Sequence, residues 1–378
     1  MRGWQQRASP LARYALLAYT LIAVDASLYP FSGWRENGIG AFDFLFASWP
    51  TRALPFDLLV NALGYLPLGL LAGLALHPRV RGVGLVALAT LYAALLSCGL
   101  EAIQTFLPSR VASTSDLASN VVGAFVGALL AARFARPLLD TGRLRAWRAR
   151  WFVADASRGL VLVVIWLGAL IYPDVFMFGM GGMLKAFDPD LADQASIWLG
   201  LAPLVDPLVD AVRFAIAEAV VVATGLIGAG LLFVNLMRPT ASRGVRLGLL
   251  AAFIVAAVVV KSASQIFVFG ELDATLWLVP GARGGFACGT ALLFVLAFLP
   301  MRSRWALGLA ALLTSLVLTN LVPDNPYMNP VATSLTRGRL MNFYGLARGL
   351  NLAWPFFAIA YFMRHRTPAE PSGAKRSV

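Results

Sequence analysis

Reactive side chains are scarce in this chain. Its 378 residues include two histidines and two cysteines, and charged residues make up 13% of the total. Cys98 and Cys288 both sit within apolar runs, which argues against a disulfide framework or a thiolate metal site. His77 and His365 fall at the ends of expected helices, both on the side expected to face the cytoplasm. That leaves no histidine for an extracytoplasmic metal site. There is no P-loop, no dinucleotide-binding glycine fingerprint and no Gly-x-Ser-x-Gly elbow. Their absence removes the common signatures of nucleotide-dependent enzymes and serine hydrolases.

Apolar residues dominate instead. They make up 59% of the chain, and the mean hydropathy is +0.74. A water-soluble domain of this size is not so apolar. A helix needs about 20 mostly apolar residues to cross the hydrocarbon core. Such runs lie near 11–30, 57–77, 83–107, 116–136, 157–176, 212–236, 244–268, 283–300, 305–322 and 342–363. The expected fold is therefore an all-α polytopic transmembrane bundle of about ten spans. Its parts would be a four-helix unit over 11–136, a basic linker over 137–156, a six-helix unit over 157–363 and a basic tail over 364–378. Arg2, Arg7 and Arg13 precede the first run as they would in a signal peptide, but no small-x-small cleavage site follows. The run is therefore taken as a retained helix.

The net charge of +12 follows the same plan. With the N-terminus inside, alternate connections collect most of the arginines. Among them are Arg79, Arg81, Arg133, Arg136, Arg143, Arg145, Arg148, Arg150, Arg238, Arg243, Arg246, Arg302 and Arg304. Of the 19 acids, only Asp140, Asp155 and Glu370 fall on that side. Lys and Arg accumulate on the cytoplasmic side of membrane proteins. The basicity thus predicts both termini in the cytoplasm of a multi-pass inner-membrane protein, and it is not a nucleic-acid footprint. Two long outer segments follow from this plan. Residues 31–56 are rich in Phe and Trp, and residues 177–211 are acidic and punctuated by proline. Such segments lie along the interface or cover a site.

Polar side chains recur inside the second, third and fourth spans. Asp57 and Asn61 stand at i and i+4, Glu101 and Gln104 at i and i+3, and Asp116 and Asn120 at i and i+4. Arg110 lies in the short connection between the third and fourth spans. Each pair shares a helical face, and the topology brings all of them to the outer membrane surface. Charged groups in a span are costly and usually face a partner or a cavity. Asp57 and Asp116 also suit helix N-caps, Asn61 and Asn120 suit interhelical hydrogen bonds, and Gly123-xxx-Gly127 suits a helix-packing face. Glu101 has no capping position in this reading, and Arg110 is its nearest candidate partner.

These residues resemble the VanZ-like family of bacterial membrane proteins, named after a teicoplanin-resistance determinant. The pattern runs Asn61-x3-Tyr65-x-Pro67-x-Gly69, then Ser97-x3-Glu101-x2-Gln104, then Arg110, then Asp116-x3-Asn120-x2-Gly123. It covers about residues 11–135. The resemblance implies a cell-envelope context and, through it, a link to glycopeptide resistance or envelope polysaccharide, but no settled reaction. Many members are small four-helix proteins, so the remaining six spans depart from the pattern.

The second half reads as a worn second copy. Residues 212–232 align without gaps on 56–76, and Ser262-xx-Gln265-Ile-Phe267 echoes Glu101-xx-Gln104-Thr-Phe106. The polar positions have changed sign. Arg213, Lys261 and Arg283 stand near the outer surface, joined by Arg348 and Asn351 on the last span. Arginine suits a bidentate grip on phosphate, although lipid-headgroup contact is the plainer role. Lys261, in an unbroken apolar run, needs a partner, and Glu218 is the candidate.

The leading functional reading is binding or handling of an anionic lipid-linked envelope component, a polyprenyl phosphate or lipid-linked glycan, at the outer leaflet. Asp57, Asn61, Gln104, Arg110, Asn120, Arg213, Lys261, Arg283 and Arg348 would bind it. An alternative is an integral-membrane transferase or hydrolase with Glu101 as general base and Asp116 as a second acid. No cofactor is expected, although carboxylates at Asp57, Glu101 and Asp116 would suit Mg²⁺. A transporter or a structural partner of envelope-assembly proteins remains a further alternative, and nucleic acid is not an expected partner.

Overall fold

A computed structural model describes residues 9–28, 31, 33–36, 38–47, 55–108, 110–136, 143–153, 155–171, 176–198, 200, 207–269, 275, 277–322 and 341–364. The fold is all-α, with thirteen α-helices and no strand among the described residues. They are α1 (Pro10–Leu28), α2 (Pro55–Leu76), α3 (Gly82–Gln104), α4 (Thr114–Ala135), α5 (Arg143–Trp151), α6 (Ser157–Ala169), α7 (Met183–Phe187), α8 (Pro189–Trp198), α9 (Pro207–Asn235), α10 (Arg243–Phe269), α11 (Pro280–Leu296), α12 (Met301–Leu321) and α13 (Met341–Arg364). A helix occupies each of the ten apolar runs. Seven of the helices are long and apolar enough to cross a membrane, and α6 and α11 are shorter apolar helices. The chain divides into two compact units, Met1–Val161 and Leu162–Val378. The expected basic tail beyond Arg364 lies outside the described residues.

In the first unit, small residues decide the packing. A Cβ added at Gly123 or Gly127 would run into the backbone carbonyl of Ala62 or Leu66, and one at Gly69 would run into that of Ala124. The register therefore climbs in the same direction on both helices, so α2 and α4 are parallel and in backbone contact. Such approach is how helices associate in lipid, where burial of apolar surface gives little drive. Helices α1 and α3 complete the bundle. Tyr65, Leu68, Ala93 and Ala124 form one buried cluster and Leu28, Leu100 and Leu107 another. Leu63, Leu91, Leu95 and Val122 point outward and stay exposed, as lipid-facing residues do.

In the second unit, α9 is the hub. Gly281, Gly285 and Gly289 of α11 lie against Ala215, Ala219 and Ala223 of α9, again a parallel small-residue contact. Trp166 of α6 is fully buried. It stacks on Phe178 and Phe253 with ring centroids 5.4 and 4.9 Å apart.

The structure departs from the expected fifth span over 157–176. Helix α6 stops at Ala169, and at about 1.5 Å per residue its 13 residues reach only ~20 Å. Residues 176–182 then run without helix, yet 176–181 are buried, including Phe176, Met177, Phe178 and Met180. Phe178 has a φ of 60° and Gly181 one of 84°. The Phe178 carbonyl abuts Gly225, near the middle of the α9 span. Irregular backbone at such depth persists only where protein encloses and satisfies it. Here the Gly181 amide donates to the Asn351 carbonyl at 3.0 Å, and Asn320 Nδ2 donates to the Gly181 carbonyl at 2.9 Å. Asn320 Oδ1 accepts from the Leu184 amide at 2.8 Å. The start of the expected outer segment over 177–211 is thus folded into the helical core.

Candidate functional site

The polar residues of the first unit form two connected layers. The inner layer links three helices by side chains. Tyr65 of α2 is hydrogen-bonded to Ser97 of α3, and Asn120 Nδ2 of α4 donates to Ser97 Oγ at 3.0 Å. Asn120 is 6% exposed, and its Oδ1 is buried without a hydrogen-bond partner. Asn61 is half-buried on α2.

One turn further along α3, the outer layer joins helix ends. Glu101 is 4% exposed and accepts the Ser113 amide at 2.9 Å. Ser113 is the N-cap of α4, and its Oγ accepts from the Ser115 amide at 3.2 Å. Glu101 therefore puts its charge at the positive end of α4, where a carboxylate is favoured. Asp116 is not the N-cap; it stands three residues later in the first turn, close enough to act on Glu101 by charge.

Gln104 and Arg110 serve another helix end. Gln104 Nε2 donates to the Ser27 carbonyl at 2.9 Å, and Arg110 Nη2 donates to the Ala26 carbonyl at 3.1 Å. Both carbonyls belong to the last turn of α1, where a helix runs out of internal donors and welcomes positive charge. Burial lowers the Arg110 guanidinium from its ordinary range, and the nearby Glu101 charge raises it again. Asp57 stands in the first turn of α2, with its side chain outside the described residues. The aromatic segment before α2 covers this layer: Phe44 is buried, and its carbonyl accepts from Thr114 Oγ1 at 2.5 Å.

Two members of the site are new. Ser113 provides the cap that Asp116 resembled in sequence. Asp25, in the last turn of α1, is half-buried and has a buried Oδ2 without a hydrogen-bond partner. A lone acid in the apolar run Ile22–Leu28 was the available signal for it.

Residues 5–136 match a family model described as VanZ/LLP1. This part of the chain is similar to that family. No curated protein and no solved structure matches the chain. The VanZ-like match covers the four helices that carry both polar layers.

The basic residues of the second unit are distributed differently. Arg213 on α9, Arg283 on α11 and Arg348 on α13 are exposed, whereas Lys261 on α10 is buried. The parallel register of α9 and α11 holds Arg213 and Arg283 about one helical turn apart in level. Arg283 Nε donates to the Leu278 carbonyl. Glu218, the expected partner of Lys261, accepts the Ala282 amide in the first turn of α11. Arg337 and Arg339 are outside the described residues, as are the side chains of Asn342, Gln265 and Phe267. Among the described residues no three His, Cys, Asp or Glu side chains gather as metal ligands would.

Proposed function

We propose that this multi-pass, VanZ-like membrane protein resides in the bacterial inner membrane and holds a lipid-linked envelope component, with the sugar or headgroup hydroxyls in the VanZ-like unit. The observation that carries this reading is the pair of orphaned acceptors, Asn120 Oδ1 and Asp25 Oδ2. Buried acceptors without donors cost about 1–3 kcal/mol each and are usually satisfied by something. Ligand hydroxyls supply the missing donors. Among the described residues here Glu101, Asp116 and Asp25 outnumber the half-buried cation Arg110, so the local charge favours hydroxyl donors over a phosphate at this point.

Native mass spectrometry of the purified protein tests this reading. Wild type should retain a glycolipid or phosphorylated isoprenoid. Asn120→Leu and Asp25→Asn should each reduce its occupancy at least about tenfold, as loss of a buried hydrogen bond predicts. Equal retention in all three proteins, or no such lipid on wild type, would rule the reading out.

A transferase or hydrolase is the second reading. Its support is the buried Glu101 carboxylate, which feels both Asp116 and Arg110. On that reading Glu101→Gln keeps the ligand and loses turnover, because Gln still accepts from the Ser113 amide but takes no proton.

A further inference from the structure

In the second unit, α9 ends, α10 begins and α11 turns into α12 at one end of the bundle. Hydrogen-bond donors gather there. Arg246 Nη1 and Arg304 Nη1 both donate to the Ala297 carbonyl, each at 3.2 Å. Ala297 is the C-cap of α11, so two full positive charges share the partial negative charge of one helix end. Arg304 is 5% exposed and Arg246 half-buried, and the Nε of each is shut away from solvent without a hydrogen-bond partner. Arg246 is the charged group that acts on Arg304, and that interaction is repulsive.

The last residue of α9 joins them. Asn235 is 3% exposed, and both atoms of its amide are buried without partners. The helix register explains why it belongs here. A Cβ at Gly228 would meet Leu312, and one at Gly308 would approach Leu231. Helices α9 and α12 therefore run antiparallel, and one more turn along each sets Arg304 level with Asn235. The Phe298 ring lies 5.7 Å from Arg246 Cζ. Between Asn235 and Arg304 the sequence has two acids, Glu271 and Asp273, and both follow the opposite end of α10.

Buried charge without a counter-charge is unfavourable, and guanidinium donors match phosphate oxygens in plane. We infer that Asn235, Arg246 and Arg304 form a binding site for a phosphate group. The site is separate from the VanZ-like layers and independent of their function. The two arginines hold the phosphate oxygens and Asn235 Nδ2 adds a third donor. Asn235 Oδ1 accepts from a hydroxyl of the phosphate or of its headgroup. The phosphate arrives either on an acidic phospholipid or as the free ion.

The test uses the full-length protein in a neutral detergent at constant ionic strength. Its thermal unfolding is followed during titration with phosphatidylglycerol, with diacylglycerol as the phosphate-free lipid, and with inorganic phosphate. Phosphatidylglycerol or inorganic phosphate should raise the Tm of wild type saturably, while diacylglycerol should not. Arg304→Gln should weaken the apparent affinity at least about tenfold. Arg246→Gln, at the less buried position, should do the same and serves if Arg304→Gln fails to fold. Saturation by inorganic phosphate identifies the free ion as sufficient. Saturation by phosphatidylglycerol alone identifies a lipid headgroup. An equal response to diacylglycerol, no response to either phosphate source, or unchanged affinity in a folded variant overturns the site.

Discussion

Ser97 connects Tyr65 and Asn120, so one hydroxyl serves three helices. Replacing it with Ala leaves both partners buried and unpaired. Ser97→Ala should therefore cost about 1–3 kcal/mol of stability, read as a lower Tm in detergent, whereas the neighbouring Cys98→Ala should move it far less. At this scale the sequence was informative about which residues matter and less so about what they touch. Glu101, Gln104 and Arg110 were legible as polar groups that an apolar span would not otherwise tolerate. Their partners are backbone groups of other helices: the Ser113 amide and the Ala26 and Ser27 carbonyls. Residue type and spacing carry no record of such long-range contacts. Asp25 escaped because a single acid has no spacing to reveal it.

At the scale of elements, backbone contact between α2 and α4 sets how the VanZ-like helices can meet. Gly127→Val would push the Leu66 carbonyl away, and backbone cannot yield as a side chain does. The cost should exceed the roughly 1–3 kcal/mol of ordinary overpacking. Gly64→Ala, which has open space around it, should be nearly neutral. Comparing folded yield and Tm of the two variants checks the contact. The Gly123-xxx-Gly127 pattern made this interface readable, because small residues four apart line one helical face. The break after α6 was not readable. Residues 176–182 are as apolar as a span, and composition does not distinguish a buried irregular strap from a helix. What distinguishes them is the supply of partners from Asn320 and Asn351, more than a hundred residues away in sequence.

For the whole molecule, the distribution of charge predicts which ends face the cytoplasm. In a background with Cys98 and Cys288 replaced by Ser, a cysteine at Val111 should react with an impermeant maleimide in intact cells. A cysteine at Arg79 should react only after permeabilisation. The opposite pattern would invert the orientation. The chain's order of synthesis also bears on the strap over 176–182. Its backbone partners Asn320 and Asn351 leave the ribosome long after the strap does. At ~5–20 residues per second the delay is on the order of ten seconds or more. During that interval Gly181 has neither of these partners, and an unpaired peptide group is poorly tolerated in lipid. The strap must therefore wait in a wetter place, at the membrane surface or beside the insertion machinery, until α12 and α13 arrive. Insertion of this protein is then not a simple procession from first helix to last: one of its early segments is among the last to reach its final depth.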